Sequence, residues 1–297
     1  MADRLRPRPG GAAAEPQAAA QLRYAWQRLS ADGAADDDTD RYENSRRDDA
    51  VGMLSFEPHF ALDVGCYSGG AARSIKDAFP QCRLWGVEPD AKAAELARRR
   101  MDKVIVATFD TIDWAAQGLR AGDIDTVFLL DVLEHMYNPW RALESLRELV
   151  SPRAQLVISL PNVRNLFLLR DLMNGYWRYR DAGLLDSTHI RFFTEHEALR
   201  LIYQTGFRVE RHEFTINAET ASMYEQWRDR PFPWRVEFER GSLLIENQAE
   251  VRGFLAAQHL FLARPALKRE LGAEELRLIE GPHPETFALG FDRPGTL

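Results

Sequence analysis

Residues 63–70 read DVGCYSGG, and this stretch decides the fold of the 297-residue chain. It directly follows an apolar strand candidate at 59–64. A glycine-rich turn after a strand lets a ligand approach the backbone and places that ligand at a helix N-terminus. Several nucleotide-binding families share such a turn, so alone it predicts only a nucleotide-binding α/β fold.

Short apolar segments continue along the chain at regular spacing. Further strand candidates lie at 82–87, 103–107, 124–130, 154–160, 207–216 and 254–264. The near-continuous apolar runs within 124–130 and 154–160 are typical of strands covered by helices on both faces.

Helix signals separate these strands. Asp90 caps a helix at 91–100, and Asn138 caps one that begins with a first-turn proline. Thr194 opens a capping box for a helix that ends at Gly206. The alternation predicts a Rossmann-like, doubly wound α/β sheet that is mostly parallel, with an antiparallel last strand and an insertion or cap near the C-terminus.

The domain organisation follows from changes in composition. Residues 1–40 are low in complexity and predicted to be disordered, and 41–264 are predicted to form one domain. Residues 217–253 are interpreted as an insertion or cap within it, and 265–297 as a C-terminal extension.

The net charge, the cysteine content and the lengths of the apolar runs indicate which partners and which compartment to expect. Net charge is −7, from 38 basic and 45 acidic residues, which gives no long-range attraction to nucleic acid and favours a small acceptor. The two cysteines form no Cys-x-x-Cys pair, which favours a reducing compartment. No apolar run approaches the roughly 20 residues of a membrane helix, so we expect a cytoplasmic protein with no membrane span. The sequence gives no indication of oligomeric state.

Three acidic residues indicate which chemical groups the expected ligand carries. Asp63 lies two residues before Gly65, where a carboxylate suits a ligand with a cationic ammonium end. Tyr67 stands where a dinucleotide site wants its middle glycine, which argues against a nicotinamide-dependent dehydrogenase. Glu88 ends the second strand and can accept from ribose hydroxyls, and Asp110 follows the third strand and can accept from an adenine amino group.

Residues 42–216 resemble the class I S-adenosylmethionine (SAM)-dependent methyltransferases. The resemblance rests on LDVGCxxG at 62–69, VEP at 87–89 and DVLEHMYNP at 131–139, and it departs at Tyr67, where many members have glycine. It implies that the glycine loop contacts the methionine part of SAM, that Glu88 binds the ribose and that Asp110 binds the adenine. Arg46 is interpreted as reaching the SAM carboxylate, with a surface arginine as the alternative. The predicted cofactor residues are Arg46, Asp63, Gly65, Cys66, Tyr67, Gly69, Glu88, Pro89, Asp110, Thr111 and Asp131.

The spacing of Asp131, Glu134 and His135 places all three on one face if the segment is a helical turn. His189 lies in a polar loop much later in the chain. Three interpretations stay open: a structural His135 beneath the cofactor, a general base at His135 or His189, and a divalent cation such as Mg²⁺. The predicted metal ligands are Asp131, Glu134, His135 and His189.

Finer resemblances concern the acceptor. LEH at 133–135 with a later Thr-His resembles ubiquinone-biosynthesis O-methyltransferases, and the acid-x-x-Glu-His turn resembles metal-dependent methyltransferases of small-RNA 3′ ends. LPNVR at 160–164, LDSTHIRFFT at 185–194 and YENSR at 42–46 are similar to bacterial methyltransferases associated with surface-polysaccharide and glycan biosynthesis.

Aromatic residues and arginines are frequent in 164–193, and we interpret this segment as a lid over the acceptor, with an amphipathic helix as the alternative. The predicted substrate contacts are Asn162, Tyr179, Arg191 and Phe192. The predicted function is methyl transfer from SAM to a hydroxyl of a small molecule or a glycan precursor. An RNA 2′-O-methyltransferase and a non-catalytic SAM-binding protein are the alternatives.

Overall fold

The computed structural model describes residues 46–280. The low-complexity segment 1–40, residues 42–45 of the YENSR motif and residues 281–297 of the predicted extension lie outside the described residues.

A seven-stranded sheet forms the centre of the described chain, and its neighbouring strands are, in order, Lys103–Ile105, Arg83–Val87, Phe60–Val64, Ile124–Leu130, Val150–Pro161, Gln258–Pro265 and Phe207–Thr215. Its strands are β1 (Phe60–Val64), β2 (Arg83–Val87), β3 (Lys103–Ile105), β4 (Ile124–Leu130), β5 (Val150–Pro161), β6 (Phe207–Thr215) and β9 (Gln258–Pro265), and a separate hairpin comprises β7 (Trp234–Phe238) and β8 (Gly241–Ile245). The first five strands of the sheet pair in parallel, whereas β9 runs antiparallel to both β5 and β6. The predicted Rossmann-like sheet with an antiparallel last strand is confirmed.

Helices connect the strands and cover the sheet. They are α1 (Asp48–Val51), α2 (Gly70–Ala78), α3 (Ala91–Ala97), α4 (Pro139–Leu149), α5 (Leu166–Met173), α6 (Glu195–Gln204), α7 (Ala218–Trp227), α8 (Gln248–Leu255) and α9 (Ala273–Glu280). The predicted caps are present: side chains of Asp90, Asn138 and Thr194 accept the backbone N–H three residues later, at 2.7, 3.1 and 3.3 Å.

Both faces of the sheet are buried, as the continuous apolar strands predict. Leu62 and Leu129 belong to the hydrophobic cluster on one face, and Ala61 and Phe128 to the cluster on the other. The alternation follows from the two-residue period of a strand. Burial on both sides explains why the sequence shows no polar face on these strands.

The last predicted strand is displaced. Residues 254–264 were expected to form one strand, but Phe254 and Leu255 close α8 and the strand begins at Gln258. Both segments are apolar and buried, so periodicity alone does not separate the end of a buried helix from the start of a buried strand.

The segment between β6 and β9 contains α7, the β7–β8 hairpin and α8. Buried residues of the hairpin and α8 pack with Leu166 of α5 in a small hydrophobic cluster of their own. The hairpin was not predicted. The division of the chain at residues 41 and 264, with an insertion at 217–253, stays a prediction.

Parallel pairing places the carboxyl ends of β1, β2, β3 and β4 at one edge of the sheet. Open α/β sheets bind ligands outside this edge. Within residues 46–280, no helix is long and apolar enough to cross a membrane.

Candidate functional site

The turn between β1 and α2 requires its glycines. Gly65 and Gly69 adopt positive φ angles of 73° and 81°. A Cβ on Gly65 would lie 2.5 Å from Cγ2 of Val132, which follows β4. The loop is therefore packed tightly against the end of the neighbouring strand, and a side chain at 65 would be both strained and obstructed.

Tyr67, the residue that departs from the expected pattern, also lies in the left-handed region, with φ of 44°. Its backbone N–H donates to Oε2 of Glu88 at 2.9 Å. Tyr67 therefore links the glycine loop to the acid at the end of β2 through its main chain.

Asp63 occupies the end of β1 and is 2% exposed. Its Oδ2 has no hydrogen-bond partner in the described part of the chain. Burial raises the pKa of this carboxyl to about 7, opposed by the charge of Arg47 and assisted by that of Glu88. A buried acceptor without a partner is costly, and a ligand ammonium group would satisfy it.

Glu88 follows β2 and is also buried, which raises the pKa of its carboxyl. Oε2 accepts from the Tyr67 N–H and Oε1 from the Asp90 N–H at 2.8 Å. These two backbone donors hold the carboxylate at the strand end, and its second lone pairs stay available to ribose hydroxyls.

The other predicted residues of the cofactor edge differ in accessibility. Pro89, Asp110 and Thr111 are exposed, with Asp110 in a short 3₁₀ turn after β3. The Thr111 hydroxyl donates to the Thr108 carbonyl at 2.8 Å. Their position at the sheet edge agrees with the predicted adenine and ribose side, and their roles stay predictions.

Cys66 faces the core. A Cβ on Gly86 would meet Sγ of Cys66 and Sδ of Met101 at 2.5 Å each, so the thiol fills the space above a strand glycine. Burial raises the pKa of the thiol beyond its ordinary range. The predicted cofactor contact of Cys66 is therefore restricted to its backbone.

Arg46 does not lie in the site, and the prediction for it is corrected. Its guanidinium is exposed and pairs with Asp48 at 2.9 Å and Asp77 at 2.6 Å. Arg47 lies in the site instead, because its Nη1 contacts Oδ2 of Asp131 at 2.9 Å and its charge acts on Asp63. Adjacent arginines give the same sequence signal, and only the direction in which the chain enters α1 separates them.

Asp131 is held apart from the residues that follow it. Its φ of 55° ends β4 in the left-handed region, so the predicted helical turn does not include it. Oδ1 accepts from Ser159 Oγ at 2.5 Å and from Gln258 Nε2 at 2.9 Å, and Oδ2 faces Arg47. The predicted four-ligand metal set is therefore corrected, since this carboxylate is engaged with other partners.

The remaining three residues do come together. One potential ligand atom from each of Glu134, His135 and His189 lies within 4.8 Å of the other two. Glu134 and His135 lie in a 3₁₀ turn, Leu133–His135, and the backbone carbonyl of Glu134 accepts N–H groups from residues 190 and 191 of the His189 loop. Those backbone bonds explain how residues 54 positions apart meet.

Glu134 is 1% exposed, and neither carboxylate oxygen has a hydrogen-bond partner among residues 46–280. Burial raises the pKa of this carboxyl well above its ordinary value, and Asp131 adds to the effect. His189 Nδ1 lies 3.2 Å from the Leu184 carbonyl, which only accepts, so Nδ1 carries a proton. Nε2 of His189 lies 3.9 Å from Oε1 of Glu134.

Asn162 is not a substrate contact, and this prediction is also corrected. The side chain is fully buried and donates to the carbonyls of Gly253 at 2.7 Å and Ala256 at 3.0 Å, while Oδ1 accepts from the Arg164 N–H. It ties the end of β5 to the end of α8. A polar residue after a buried strand gives the same sequence signal whether it binds a ligand or a backbone.

The other three predicted substrate residues, Tyr179, Arg191 and Phe192, are all at least partly accessible to solvent. Tyr179 is half exposed, and Phe192 packs edge-on against Trp177 with ring centroids 5.3 Å apart. Arg191 donates to the Tyr137 carbonyl at 2.6 Å, which joins the loop to the segment after His135. Aromatic and arginine side chains therefore lie on the segments next to His135 and His189 in the chain.

Three residues that contact Asp131 were not among the predicted site residues. Ser159 and Gln258 reach Asp131 from β5 and β9, and Arg47 reaches it from the start of α1. The signal that pointed toward Arg47 was the neighbouring Arg46. Ser159 and Gln258 lie within or beside apolar strands, where only the pairing of the sheet shows which edge they approach.

Comparisons with known proteins identify the family of the chain. A methyltransferase domain family matches residues 37–212, more than half of the chain. A trans-aconitate 2-methyltransferase of Methylobacterium radiotolerans is 26% identical over 126 residues, which are 41% of this chain and 47% of that protein. A 37.1 kDa protein from a Streptomyces fradiae transposon is 30% identical over 103 residues, 34% of this chain and 30% of its own length. The matches therefore span less than half the length of either relative.

Among solved structures, the fold of this chain resembles that of one chain in the complex between the Haloferax volcanii Trm112 methyltransferase activator and a methyltransferase. The TM-score is 0.51 at 14% identity, covering 82% of this chain and 94% of that one. At this level of identity the likeness concerns the fold.

Proposed function

This chain belongs to the class I SAM-dependent methyltransferases, and from that premise we propose that it transfers the methyl group of SAM to a hydroxyl of a small molecule or a glycan precursor. The observation that carries the choice of a hydroxyl is the Glu134–His135–His189 cluster. Glu134 and His135 follow β4 just after Val132, the residue that packs against the glycine loop. A hydroxyl must lose its proton as it is methylated, and imidazole is suited to accept it.

The cofactor edge fits SAM. Oδ2 of Asp63, which has no hydrogen-bond partner in the part of the chain that the structure describes, suits the ammonium group of its methionine part. The Arg47 guanidinium suits the carboxylate of the same part. Glu88, held by two backbone N–H groups, accepts from the ribose. Together these three side chains orient a cofactor whose sulfonium supplies an electrophilic methyl group.

Arg47 and Arg46 make a matched pair for testing this assignment. We expect Arg47→Ala to weaken S-adenosylhomocysteine binding by roughly tenfold to hundredfold, the equivalent of about 1.5–3 kcal/mol for a hydrogen bond to a charged group. Arg46→Ala should change the affinity by less than about twofold, because exposed pairs contribute little. Isothermal titration calorimetry measures both, and equal losses in the two variants would reject the assignment.

His135 is the proposed general base. Part of its surface is open to solvent, but the ring packs beside the buried Glu134. Desolvation by the surrounding protein, together with the neighbouring His189, lowers the pKa of His135, which keeps the imidazole neutral and able to accept a proton at neutral pH. Alignment of the acceptor with the methyl group contributes the rest of the rate enhancement, since the sulfonium is already a good leaving group.

A divalent cation at this cluster is the second candidate, favoured by one observation. Nε2 of His189 and Oε1 of Glu134 lie 3.9 Å apart, too far for a hydrogen bond, and the Glu134 carboxylate has no hydrogen-bond partner among residues 46–280. The donor set fits a divalent metal, with the His189 Nδ1–H held by a backbone carbonyl as in many metal-binding histidines. Such a cation would lower the pKa of the acceptor hydroxyl.

Aromatic and arginine side chains favour a sugar or a flat acceptor that bears an anionic group. Trp177, Tyr179 and Phe192 offer faces for stacking, and Arg178 and Arg191 offer donors for a phosphate or carboxylate. The glycan-biosynthesis and ubiquinone-type resemblances point to the same kind of hydroxyl acceptor. The residues around Tyr179 are thus the proposed acceptor-binding surface.

The test is methyl transfer from radiolabelled SAM to a panel of monosaccharides, sugar phosphates, sugar nucleotides, phenols, trans-aconitate and RNA. Each acceptor is assayed as purified, after exhaustive chelation, and with Mg²⁺ restored. Hydroxyl methylation confirmed by mass spectrometry supports the proposal, and its loss on chelation supports the cation. Transfer confined to a carboxylate or to RNA, or binding of SAM without any transfer across the panel, counts against it.

A further inference from the structure

Asp186 and Thr188 form a chain of hydrogen bonds that ends at the ring of His135. The Thr188 hydroxyl donates to Oδ1 of Asp186 at 2.6 Å, and the same oxygen accepts the Thr188 backbone N–H at 2.8 Å. The hydroxyl oxygen of Thr188 in turn lies 3.0 Å from Nδ1 of His135.

The direction of these bonds follows from proton counting. A hydroxyl has one proton, and the carboxylate of Asp186, which only accepts, takes it. Thr188 Oγ1 therefore has only lone pairs to offer to His135. The Thr188 backbone carbonyl, which also only accepts, lies 3.3 Å from the same ring nitrogen. Both contacts require that Nδ1 of His135 carries a proton.

A neutral imidazole has a single N–H. With Nδ1 protonated, the lone pair of His135 must lie on Nε2. We propose that Asp186 and Thr188 are positioning residues that hold His135 in its Nδ1–H tautomer, so that Nε2 is the atom that receives the acceptor proton.

This inference rests on the proposed function for its catalytic meaning, but the tautomer itself does not depend on any acceptor. The same loop also sets the second histidine, since the Leu184 carbonyl accepts the Nδ1–H of His189. Leu184 and Thr188 of one loop thus orient both imidazoles.

Thr188→Val is the main variant, because valine keeps the shape of the side chain and removes the hydroxyl. We expect it to shift the His135 population in part toward the Nε2–H tautomer, because only the longer contact of Nδ1 with the Thr188 carbonyl, at 3.3 Å, remains. The change is visible in the ring ¹⁵N chemical shifts of histidine-labelled protein. The chain has seven histidines, and a His135→Gln sample assigns the resonance. With an active acceptor, kcat should fall roughly tenfold or more, and KM should stay within about twofold.

Two further variants separate positioning from simple damage to the loop. Thr188→Ser restores the hydroxyl and should restore both the ¹⁵N signature and kcat. Ser187→Ala alters the adjacent side chain and should leave both unchanged.

Wild-type protein that shows the Nε2–H tautomer at His135 would overturn the proposal, as would a Thr188→Val sample whose His135 shifts match those of Ser187→Ala. An Nδ1–H signature without any hydroxyl methylation would leave the hydrogen-bond chain standing and reject the proposed function instead.

Discussion

Asp63→Asn is expected to weaken S-adenosylhomocysteine binding by roughly tenfold to hundredfold, because a charged hydrogen bond contributes about 1.5–3 kcal/mol. The carboxylate is 2% exposed and its Oδ2 has no partner within residues 46–280, so water cannot replace the lost interaction cheaply. Calorimetric titration measures the affinity. Asp77→Asn, an exposed acid on α2, is the matched control and should bind as the wild type does.

The same carboxyl should make binding depend on pH. Its pKa in the ligand-free protein is about 7, and the ammonium group of the ligand binds the ionised form. The dissociation constant should therefore rise roughly tenfold from pH 8 to pH 6 in the wild type, and Asp63→Asn should lose most of this dependence.

The Asp63 carboxyl affects the stability of the folded protein in the opposite direction to its effect on ligand binding. Because the folded-state pKa is raised from 3.8 to about 7, the stability that the protonated group contributes is lost as pH rises across that interval. A wild-type affinity that is flat between pH 6 and pH 8 would show that Asp63 does not meet the ammonium group.

Glu134→Leu is expected to separate stability from function. Removing a buried carboxyl whose oxygens have no described partner should raise the free energy of unfolding of the metal-free protein by about 1–3 kcal/mol. Methyl transfer should fall at least about a hundredfold, because the carboxylate that faces His189 is lost. Urea denaturation and the acceptor assay measure the two effects.

Glu144→Leu, on the exposed side of α4, provides the comparison. It should change the stability by no more than about 0.5 kcal/mol and leave turnover intact. A Glu134→Leu protein that is less stable than the wild type would indicate a structural partner for this carboxylate. Full activity of the Glu134→Leu protein would show that the Glu134–His135–His189 cluster takes no part in the reaction.

Much of the sheet was predictable because strands buried on both faces leave a strong local signal. The apolar runs at β4 and β5 and the caps Asp90, Asn138 and Thr194 depend only on neighbouring residues. The start of β9 was misplaced since two buried apolar elements follow each other without a polar break. The β7–β8 hairpin went unpredicted because its strands are only partly buried.

By itself, the stretch 63–70 determined a strand, a left-handed turn and a helix, together with an acid at the strand end, since each depends on local backbone geometry. Which side chains meet there was decided only by the tertiary structure. Arg47 rather than Arg46 faces Asp131, and Asn162 binds the backbone at the end of α8. Glu134 lies close to His189, and Asp131 is not part of that cluster. The physical reason is that these contacts join residues far apart in the chain, and their partners are set by strand pairing and by the path of a loop.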